Sequence, residues 1–219
     1  VFSEEYNELI VDRHGFLGPL PNIDTLNPVE NIKAYVDRKL FIHNMGHAAT
    51  AYLGYAKNPD ITYIWEALED PQVLGLVQSA MRESAAALVA AYPNDMEPVA
   101  LEEHIANLLD RFQNRALGDT VFRVGRDLYR KLDREDRLVG AVLLAAQYGL
   151  PYNAIAEAIR ASLRFKAVGE DGKPYPTDAE FLAKEAPRGL RHVLISVSRL
   201  NENNEVEQKI IDVIDGQER

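Results

Sequence analysis

Four polar side chains interrupt an apolar stretch of the sequence within nine positions. They are Lys39, His43, Asn44 and His47, in the segment KLFIHNMGHAATAYLG at residues 39–54. On an α-helix that turns about 100° per residue, with Lys39 at zero, His43 falls at about 40°, His47 at about 80° and Asn44 at about 140°. A helix would therefore project all four groups into one arc.

This arc has the residue types needed for proton transfer to or from a bound oxygen. Its apolar neighbours, residues 40–42, are expected to withdraw part of it from water, and burial lowers the pKa of a lysine toward the range useful for acid–base catalysis. Asn44 and His47 could donate hydrogen bonds to an oxygen that gains negative charge. The spacing alone leaves the alternative open that Lys39 is a solvated surface residue and the histidines are structural.

The same segment raises two further possibilities. Gly46 inside a helix costs about 1 kcal/mol relative to alanine, and such a glycine often marks a place where a ligand or another backbone comes close. His43 and His47 stand at i and i+4, the spacing of two zinc ligands in H-E-x-x-H enzymes. Asn44 occupies the position of the glutamate in that motif, and the chain contains no cysteine. We therefore predict that no metal is bound.

Composition excludes several classes of protein. The 219 residues carry a net charge of −10, which argues against a general nucleic-acid or membrane-surface binder. No apolar run has the length of a membrane span, and no signal-peptide pattern opens the chain. The absence of cysteine fits a reducing compartment, and we expect a cytoplasmic protein. The chain begins at Val1, and we expect it to be a piece of a longer polypeptide.

A basic cluster stands out against this acidic background. Six of the 24 basic residues fall within the 15 positions of RVGRDLYRKLDREDR. They are Arg123, Arg126, Arg130, Lys131, Arg134 and Arg137. If the segment were one helix, the five arginines, at intervals of 3, 4, 4 and 3, would share a face and could bind a phosphate group. The alternative is a solvated face with i, i+4 ion pairs, and Gly125 weakens the helical assumption.

The order of elements predicts a mostly helical chain. YNELIV at residues 6–11 is typical of a strand, and GFLGPLPN supplies the turn residues that end it. Asn27 and Pro28 are a helix start signal. The predicted helices cover residues 28–55, 60–69, 70–92, 97–112, 134–148 and 153–165. Residues 113–130 are expected to be irregular, the polar segment at residues 169–178 a surface loop, and three shorter helical segments follow it.

Several segments together resemble a known family. KLFIHNMGH has the pattern K-x4-N-x2-H, and it is accompanied by ELIVDRHGFLGPLPNI, RVGRDLYRKL and DRLVGAVLLAAQYGLP. In their order along the chain, these segments together are similar to the polyol-specific long-chain dehydrogenases. Within that family they are similar to enzymes that act on a sugar-alcohol phosphate. The likeness is strong through about Pro151 and continues, more loosely, to the end.

The resemblance implies roles for particular residues. Lys39 corresponds to the general acid/base, and Asn44 and His47 to the residues that orient the reacting oxygen. His43 is outside the signature and is interpreted as structural. Arg123, Arg126 and Lys131 match positions of substrate-binding basic residues, with Arg130 in reserve. The position of Arg126 is a histidine in some family enzymes for unphosphorylated polyols, so the arginine favours a phosphate, whereas Arg134 and Arg137 are expected at the surface.

The resemblance also implies a fold and a missing partner. The implied fold is that of a mainly α, multi-helical C-terminal domain, and it resembles the 6-phosphogluconate dehydrogenase C-terminal-like fold. A strand-like lead-in at residues 1–25 would precede the helical substrate and catalytic domain at residues 26–219. The family's chemistry uses NAD, yet this chain has no G-x-G-x-x-G motif and no βαβ pattern. We therefore expect NAD to be bound mainly by an N-terminal Rossmann domain that this chain lacks.

Two alternatives remain at this stage. One is a helical interaction module of shared ancestry without catalysis, and the other is a dehydrogenase for an unphosphorylated polyol or a sugar acid. The surroundings of Lys39 should separate the module from the enzyme. A cleft in which Lys39, Asn44 and His47 converge favours catalysis, and full exposure of Lys39 favours the module.

Overall fold

Two short parallel strands open the part of the chain, residues 8–216, that the computed structural model describes. Strand β1 (Leu9–Asp12) pairs with β2 (Leu26–Val29), with Leu9 opposite Leu26 and Asp12 opposite Val29. A 3-10 turn at Arg13–Gly15 and a loop connect the strands. The predicted strand is thus present over residues 9–11, while its first two residues lie outside the described range.

The predicted helix start at Asn27 and Pro28 is wrong, because both residues belong to β2. Proline has no backbone N–H to donate, but a two-stranded sheet leaves each strand with one unpaired edge, where proline is tolerated. The first helix begins four residues later at Ile32. Asn31 precedes it, but its side chain does not cap the helix; its amide donates to Asp95 instead, over 3.0 Å.

Helices make up the rest of the described structure, and most predicted positions are confirmed. In chain order they are α1 (Ile32–Arg38), a π-helical turn (Lys39–Asn44), α2 (Met45–Lys57), α3 (Ile64–Leu68), α4 (Pro71–Ala91), α5 (Pro98–Phe112), α6 (Val121–Gly125), α7 (Leu128–Lys131), α8 (Val139–Gln147), α9 (Asn153–Ser162), α10 (Pro176–Lys184), α11 (Leu190–Ser196) and α12 (Glu205–Asp215). Short 3-10 turns lie at Arg115–Leu117 and Ala186–Arg188. The prediction of a mainly α fold with a strand-like lead-in is confirmed.

One predicted helix is shorter than expected at its start. The pattern from Arg134 suggested a helix to Tyr148, but α8 begins only at Val139. The preceding residues form turns, in which Asp133 accepts the backbone N–H of Glu135 over 3.0 Å. Aspartate side chains that bind nearby backbone groups compete with the helical hydrogen bonds, so an acidic run of this kind delays the helix.

Helix α2 is the centre of the core. It packs against α3, α4, α6 and α9, and from Ala48 to Gly54 every residue is buried. Gly46 lies against Met81 of α4, whose side chain a Cβ atom at Gly46 would approach to 2.8 Å. This glycine therefore serves the packing of two helices and does not mark a ligand contact.

Helix α6 is held directly on α2. The buried hydroxyl of Tyr52 donates to the carbonyl of Gly125 over 2.8 Å, and the Tyr52 ring packs edge-on against Phe165 at 5.1 Å between centroids. A Cβ atom at Gly125 would lie 2.2 Å from the Phe165 ring, so only glycine permits this approach. The contact fixes the start of the basic cluster relative to the segment that carries Lys39, Asn44 and His47. Within the described residues no helix is long and apolar enough to cross a membrane.

Candidate active site

A π-helical turn replaces the α-helical turn predicted at Lys39. Over Lys39–Asn44 the hydrogen bonds span five residues, as in the bond from the backbone N–H of Met45 to the carbonyl of Leu40. Residues five apart then lie about one turn apart, so helix geometry places Asn44 nearer to the face of Lys39 than the about 140° of an α-helix would. Asn44 and His47, three residues apart at the start of α2, share a face. The spacing K-x4-N-x2-H therefore fits one π turn followed by one α turn.

Lys39 is exposed in this chain, while Asn44 and His47 are partly buried. Part of the arc is withdrawn from water as expected, but the Lys39 side chain is not in that part. Phe41 and Ile42, 8% and 0% exposed, turn into the core, and Lys39 lies on the other side of the turn. Among residues 8–216 its side chain forms no hydrogen bond or ion pair. Any desolvation of this amine must come from outside the described structure.

His43 and His104 are neutral over a wide pH range. Burial, together with the smaller effect of nearby positive groups, lowers the pKa of each ring from 6.5 to about 4. For His43 these groups are His47, Arg111, His104 and Lys39, and for His104 they are Arg38 and Arg111. The His43 ring also packs 5.7 Å from the ring of Phe112. Its surroundings support the interpretation of His43 as a structural residue.

These two histidines predict acid sensitivity of the fold. In the unfolded chain both rings bind a proton below about pH 6.5, whereas in the folded chain they do so only near pH 4. The unfolded state thus binds more protons in this interval, and stability is lost as the pH falls from about 6.5 to about 4. We expect a loss of about 2 kcal/mol, discounted because both rings keep part of their surface in water.

Urea unfolding at several pH values measures this loss. Replacing both residues, as His43→Gln with His104→Gln, should flatten the dependence of the unfolding free energy on pH over this interval. His14→Gln is the matched control, since 70% of the His14 side chain is exposed. An unchanged pH dependence in the double variant would assign the acid sensitivity to other groups.

His47 is connected to the basic cluster through Asp119. Its Nε2 atom lies 3.0 Å from Asp119 Oδ2, and the other carboxylate oxygen forms an ion pair with Arg123. The His47 ring is stacked on Phe112 with 4.8 Å between centroids. Two predicted site residues, one from α2 and one from α6, are therefore joined by a carboxylate that the sequence analysis did not select.

A cleft of about 780 Å³ opens beside this connection. Arg123 and Arg126 line it together with Lys166, and Asp60, Glu170 and other residues form the remaining wall. The Arg126 guanidinium carbon lies 5.3 Å from the ring centroid of Tyr175 and 5.9 Å from that of Phe122. Within the described residues Arg126 forms no ion pair, although the carboxylates of Asp60, Glu170 and Asp171 line the same cleft.

The backbone at Arg126 is fixed by buried charged groups. The carbonyl of Arg126 accepts a hydrogen bond from the ammonium of Lys131. The next two N–H groups, of Asp127 and Leu128, donate to the Asp178 carboxylate over 3.0 and 2.7 Å. Asp127 has a φ of +74°, which non-glycine residues adopt only when their surroundings hold them there. This arrangement sets the direction in which the chain leaves Arg126.

Lys131 itself is 3% exposed. Burial, with the nearby arginines Arg137 and Arg130, lowers the pKa of Lys131 to about 8. Its side chain acts on the backbone of Arg126, and in this structure its ammonium does not face the cleft directly. Its place in a substrate site would be behind Arg126.

The other arginines of the cluster do not share the face that a continuous helix would give. Helix α6 ends at Gly125, the backbone at Arg126 is extended, and α7 covers only Leu128–Lys131. Arg130 is paired with Asp127 over 2.5 Å and lies 3.6 Å from Asp136. The shared arginine face depended on one continuous helix, and that condition is not met because the chain changes direction at Arg126 and Asp127.

The surface placement of Arg137 is wrong, whereas Arg134 lies partly at the surface, with 35% of its side chain exposed. Arg134 binds the buried carboxylate of Glu207 with two hydrogen bonds of 2.8 and 2.7 Å, and this holds α12. The Arg137 side chain is 12% exposed and lies 2.6 Å from Asp136. Each side chain binds an acidic partner, which is the sequence-distant Glu207 for Arg134 and the adjacent Asp136 for Arg137.

Asp119 and Asp178 are the site residues that the sequence analysis missed. Asp119 precedes Arg123 by four residues, a spacing that indicates an ion pair if the segment is helical. Its contact with His47 spans 72 residues, and the contact of Asp178 with Leu128 spans 50, so no local pattern could indicate them.

The described residues form neither a dinucleotide site nor a metal cluster. The two parallel strands are joined by a 3-10 turn and a loop without the crossover helix of a nucleotide-binding unit. His43 and His47 lie 6.1 Å apart between ring centroids, and no group of three or more His, Cys, Asp or Glu side chains between residues 8 and 216 could hold a metal ion.

The helical part of the chain matches a known family of domains. The family model described as the mannitol dehydrogenase C-terminal domain matches residues 31–214. The chain belongs to this family, and the predicted membership among the polyol dehydrogenases is confirmed.

Two solved structures have the same fold. The crystal structure of D-sorbitol dehydrogenase in substrate-free form gives a TM-score of 0.60 at 23% sequence identity, covering 85% of this chain. The ternary complex of Pseudomonas fluorescens mannitol 2-dehydrogenase with NAD and D-mannitol gives a TM-score of 0.60 at 20% identity, covering 88% of this chain. The match covers 39% of each of those chains.

Proposed function

We propose that this chain is the substrate-side domain of an NAD-dependent mannitol-1-phosphate 5-dehydrogenase, which interconverts mannitol 1-phosphate and fructose 6-phosphate. Lys39 is the general base that takes the proton from the substrate hydroxyl during oxidation and returns it in the reverse reaction. Asn44 and His47 bind and orient the oxygen that loses this proton. Membership in the mannitol dehydrogenase C-terminal domain family supports the class of reaction.

One observation carries the proposal: a π turn runs from Lys39 to Asn44, and helix geometry would then put these two residues and His47 near one face. A π-helical turn weakens the hydrogen-bond geometry of a helix and occurs frequently at functional sites. Here it falls on the segment that begins with Lys39 and ends with Asn44. We propose that this distortion lets an amine, an amide and an imidazole act on the same substrate oxygen.

The exposure of Lys39 fits an active site shared with a second domain. An amine in water stays protonated at neutral pH and is a poor base, so catalysis requires that something cover it. We propose that a nucleotide-binding domain outside this chain supplies that cover and binds NAD, which accepts the hydride from the substrate carbon. The match to only 39% of each related structure supports an enzyme with a further domain.

Arg126 is proposed to bind the phosphate of the substrate. It lies in the cleft of about 780 Å³ without an ionic partner among the described residues, and Lys166 adds a second positive charge to the same wall. Guanidinium groups match phosphate oxygens with paired donors. Arg123 and Arg130 are already paired with Asp119 and Asp127, and Lys131 supports Arg126 from behind.

Comparing the chain alone with the chain joined to a nucleotide-binding domain tests the proposal. The 219 residues alone should neither bind NAD tightly nor reduce it with mannitol 1-phosphate, and the joined enzyme should do both. Calorimetry measures NAD binding, and NADH absorbance measures turnover. Robust NAD-dependent turnover by the chain alone would show that the two roles are assigned to the wrong domains.

The same exposure of Lys39 is the observation that favours the alternative, a helical interaction module without catalysis. In a module Lys39 would be an ordinary surface cation. Failure of the joined enzyme to oxidise mannitol 1-phosphate, mannitol or a related sugar acid would support the module.

A further inference from the structure

We infer that Asp119 is a positioning residue that fixes the proton of His47 on Nε2 and holds Arg123 beside it. The inference rests on the proposed function for the meaning of His47 and Arg123, but its geometric part stands on this chain alone. Asp119 Oδ2 lies 3.0 Å from His47 Nε2, and Oδ1 is paired with Arg123. One carboxylate thus binds two predicted site residues from different helices.

The backbone around Asp119 is held by hydrogen bonds that do not involve the Asp119 side chain. Its carbonyl accepts the N–H of Ile64 over 2.9 Å, and the N–H of Val121 donates to the carbonyl of Thr62 over 2.8 Å. The hydroxyl of Thr120 accepts the N–H of Arg123 over 3.1 Å and caps α6. These bonds hold Asp119 between α3 and α6, with its side chain 16% exposed.

The ion pair with Arg123 decides the tautomer of His47. A carboxylate paired with a guanidinium is ionised, and an ionised carboxylate accepts hydrogen bonds but cannot donate them. The His47 nitrogen that faces it, Nε2, must therefore carry a hydrogen, and in the neutral ring the lone pair is on Nδ1. Stacking on Phe112 restricts rotation of the ring about this bond.

This assignment gives Asp119 two consequences for the site. It determines that His47, when neutral, offers an acceptor on Nδ1 instead of a second donor. It also neutralises Arg123, which leaves Arg126 as the arginine of the cleft without an ionic partner among the described residues. The two arginines therefore differ, since Asp119 forms an ion pair with Arg123 and none with Arg126.

The substitution Asp119→Asn tests the inference in this chain. An asparagine offers one acceptor oxygen and one donor amide, and the cation Arg123 should take the oxygen. The amide would then face His47 and move the ring proton to Nδ1. Long-range ¹H–¹⁵N correlation spectra of histidine-labelled protein report the tautomer of each ring, and His14, His43, His104 and His192 are internal references for intact folding.

We expect His47 to be the Nε2–H tautomer in the parent chain and to lose that form in the Asp119→Asn variant. Asp133→Asn is the matched control, because Asp133 is paired with Arg199 over 2.6 Å and with no histidine. A parent chain with the proton on Nδ1, or a tautomer unchanged by Asp119→Asn, would overturn the inference.

Kinetics of the enzyme joined to its nucleotide-binding domain separate this inference from the proposed function. Asp119→Asn should lower kcat about 10- to 100-fold, as is typical when a group that orients a functional histidine is removed. Normal kcat in this variant, together with loss of activity in a Lys39 variant, would refute the role of Asp119 and leave the proposed function standing. A tautomer change in a protein without any dehydrogenase activity would support the role of Asp119 in placing the His47 proton and refute the proposed function.

Discussion

Replacing Lys39 by alanine should lower kcat for mannitol 1-phosphate about 100- to 10,000-fold, the contribution that a positioned general base makes to proton transfer. KM should change much less, because Lys39 acts on the hydroxyl proton and other groups bind the substrate. Initial rates of the enzyme joined to its nucleotide-binding domain, measured in both directions, give kcat and KM. The loss should appear in both directions, since the same amine returns the proton during reduction.

Lys57→Ala is the matched control for this experiment. Lys57 ends α2, thirteen residues from Asn44 and beyond the buried part of the helix, where it donates to Gln72 over 2.7 Å and lies 3.5 Å from Asp70. Turnover of this variant should stay within about twofold of the parent, because exposed ion pairs contribute little to stability. Small primary amines should restore part of the activity of the Lys39→Ala variant. Near-normal turnover after Lys39→Ala would end the catalytic interpretation.

Replacing Arg126 by alanine should raise KM for mannitol 1-phosphate about 10- to 100-fold, which corresponds to the loss of about 1.5–3 kcal/mol for a hydrogen bond to a charged group. Activity on free mannitol should fall far less, because that substrate has no phosphate for the guanidinium to bind. Initial rates with the two substrates, compared in the same enzyme, measure the difference. Arg126→Lys should fall between the parent and Arg126→Ala, since it keeps a point charge but loses the paired donors.

The surroundings of Arg126 require a control for local disorder. Its guanidinium packs on the ring of Tyr175, and its backbone is held by Lys131 and Asp178. The backbone contacts do not depend on the side chain, so the alanine variant should keep its unfolding midpoint. Arg188→Ala, an exposed arginine of the 3-10 turn Ala186–Arg188, is the control for a general loss of positive charge. An equal loss of activity on both substrates would count against a phosphate role.

Local sequence determined where most helices lie. Asp70 followed by Pro71 predicts the start of α4, and in the structure the Asp70 side chain caps that helix by accepting the N–H groups of Gln72 and Val73. Asn58 likewise follows the end of α2. Caps and breakers act within one helical turn, so the sequence carries this information without knowledge of the fold.

The same sequence misplaced elements that depend on distant partners. Asn27 and Pro28 have the form of a helix start, yet they pair with β1 across the 3-10 turn and loop. Arg134 has the pattern of a surface residue, yet it binds the buried Glu207, which lies 73 residues away. In each case a contact made in the folded chain outweighs a local preference. Such preferences are worth between a few tenths of a kcal/mol and about 1 kcal/mol.

For the candidate site, the sequence by itself determined the identities and the spacing of Lys39, Asn44 and His47. Only the tertiary structure decided that a π turn runs from Lys39 to Asn44, that Lys39 is exposed, and that Asp119 joins His47 to Arg123. Spacing along one helix is a local property that the covalent chain fixes. The direction of a carboxylate 72 residues away depends on how α2, α3 and α6 pack, and that packing is settled by the whole core at once.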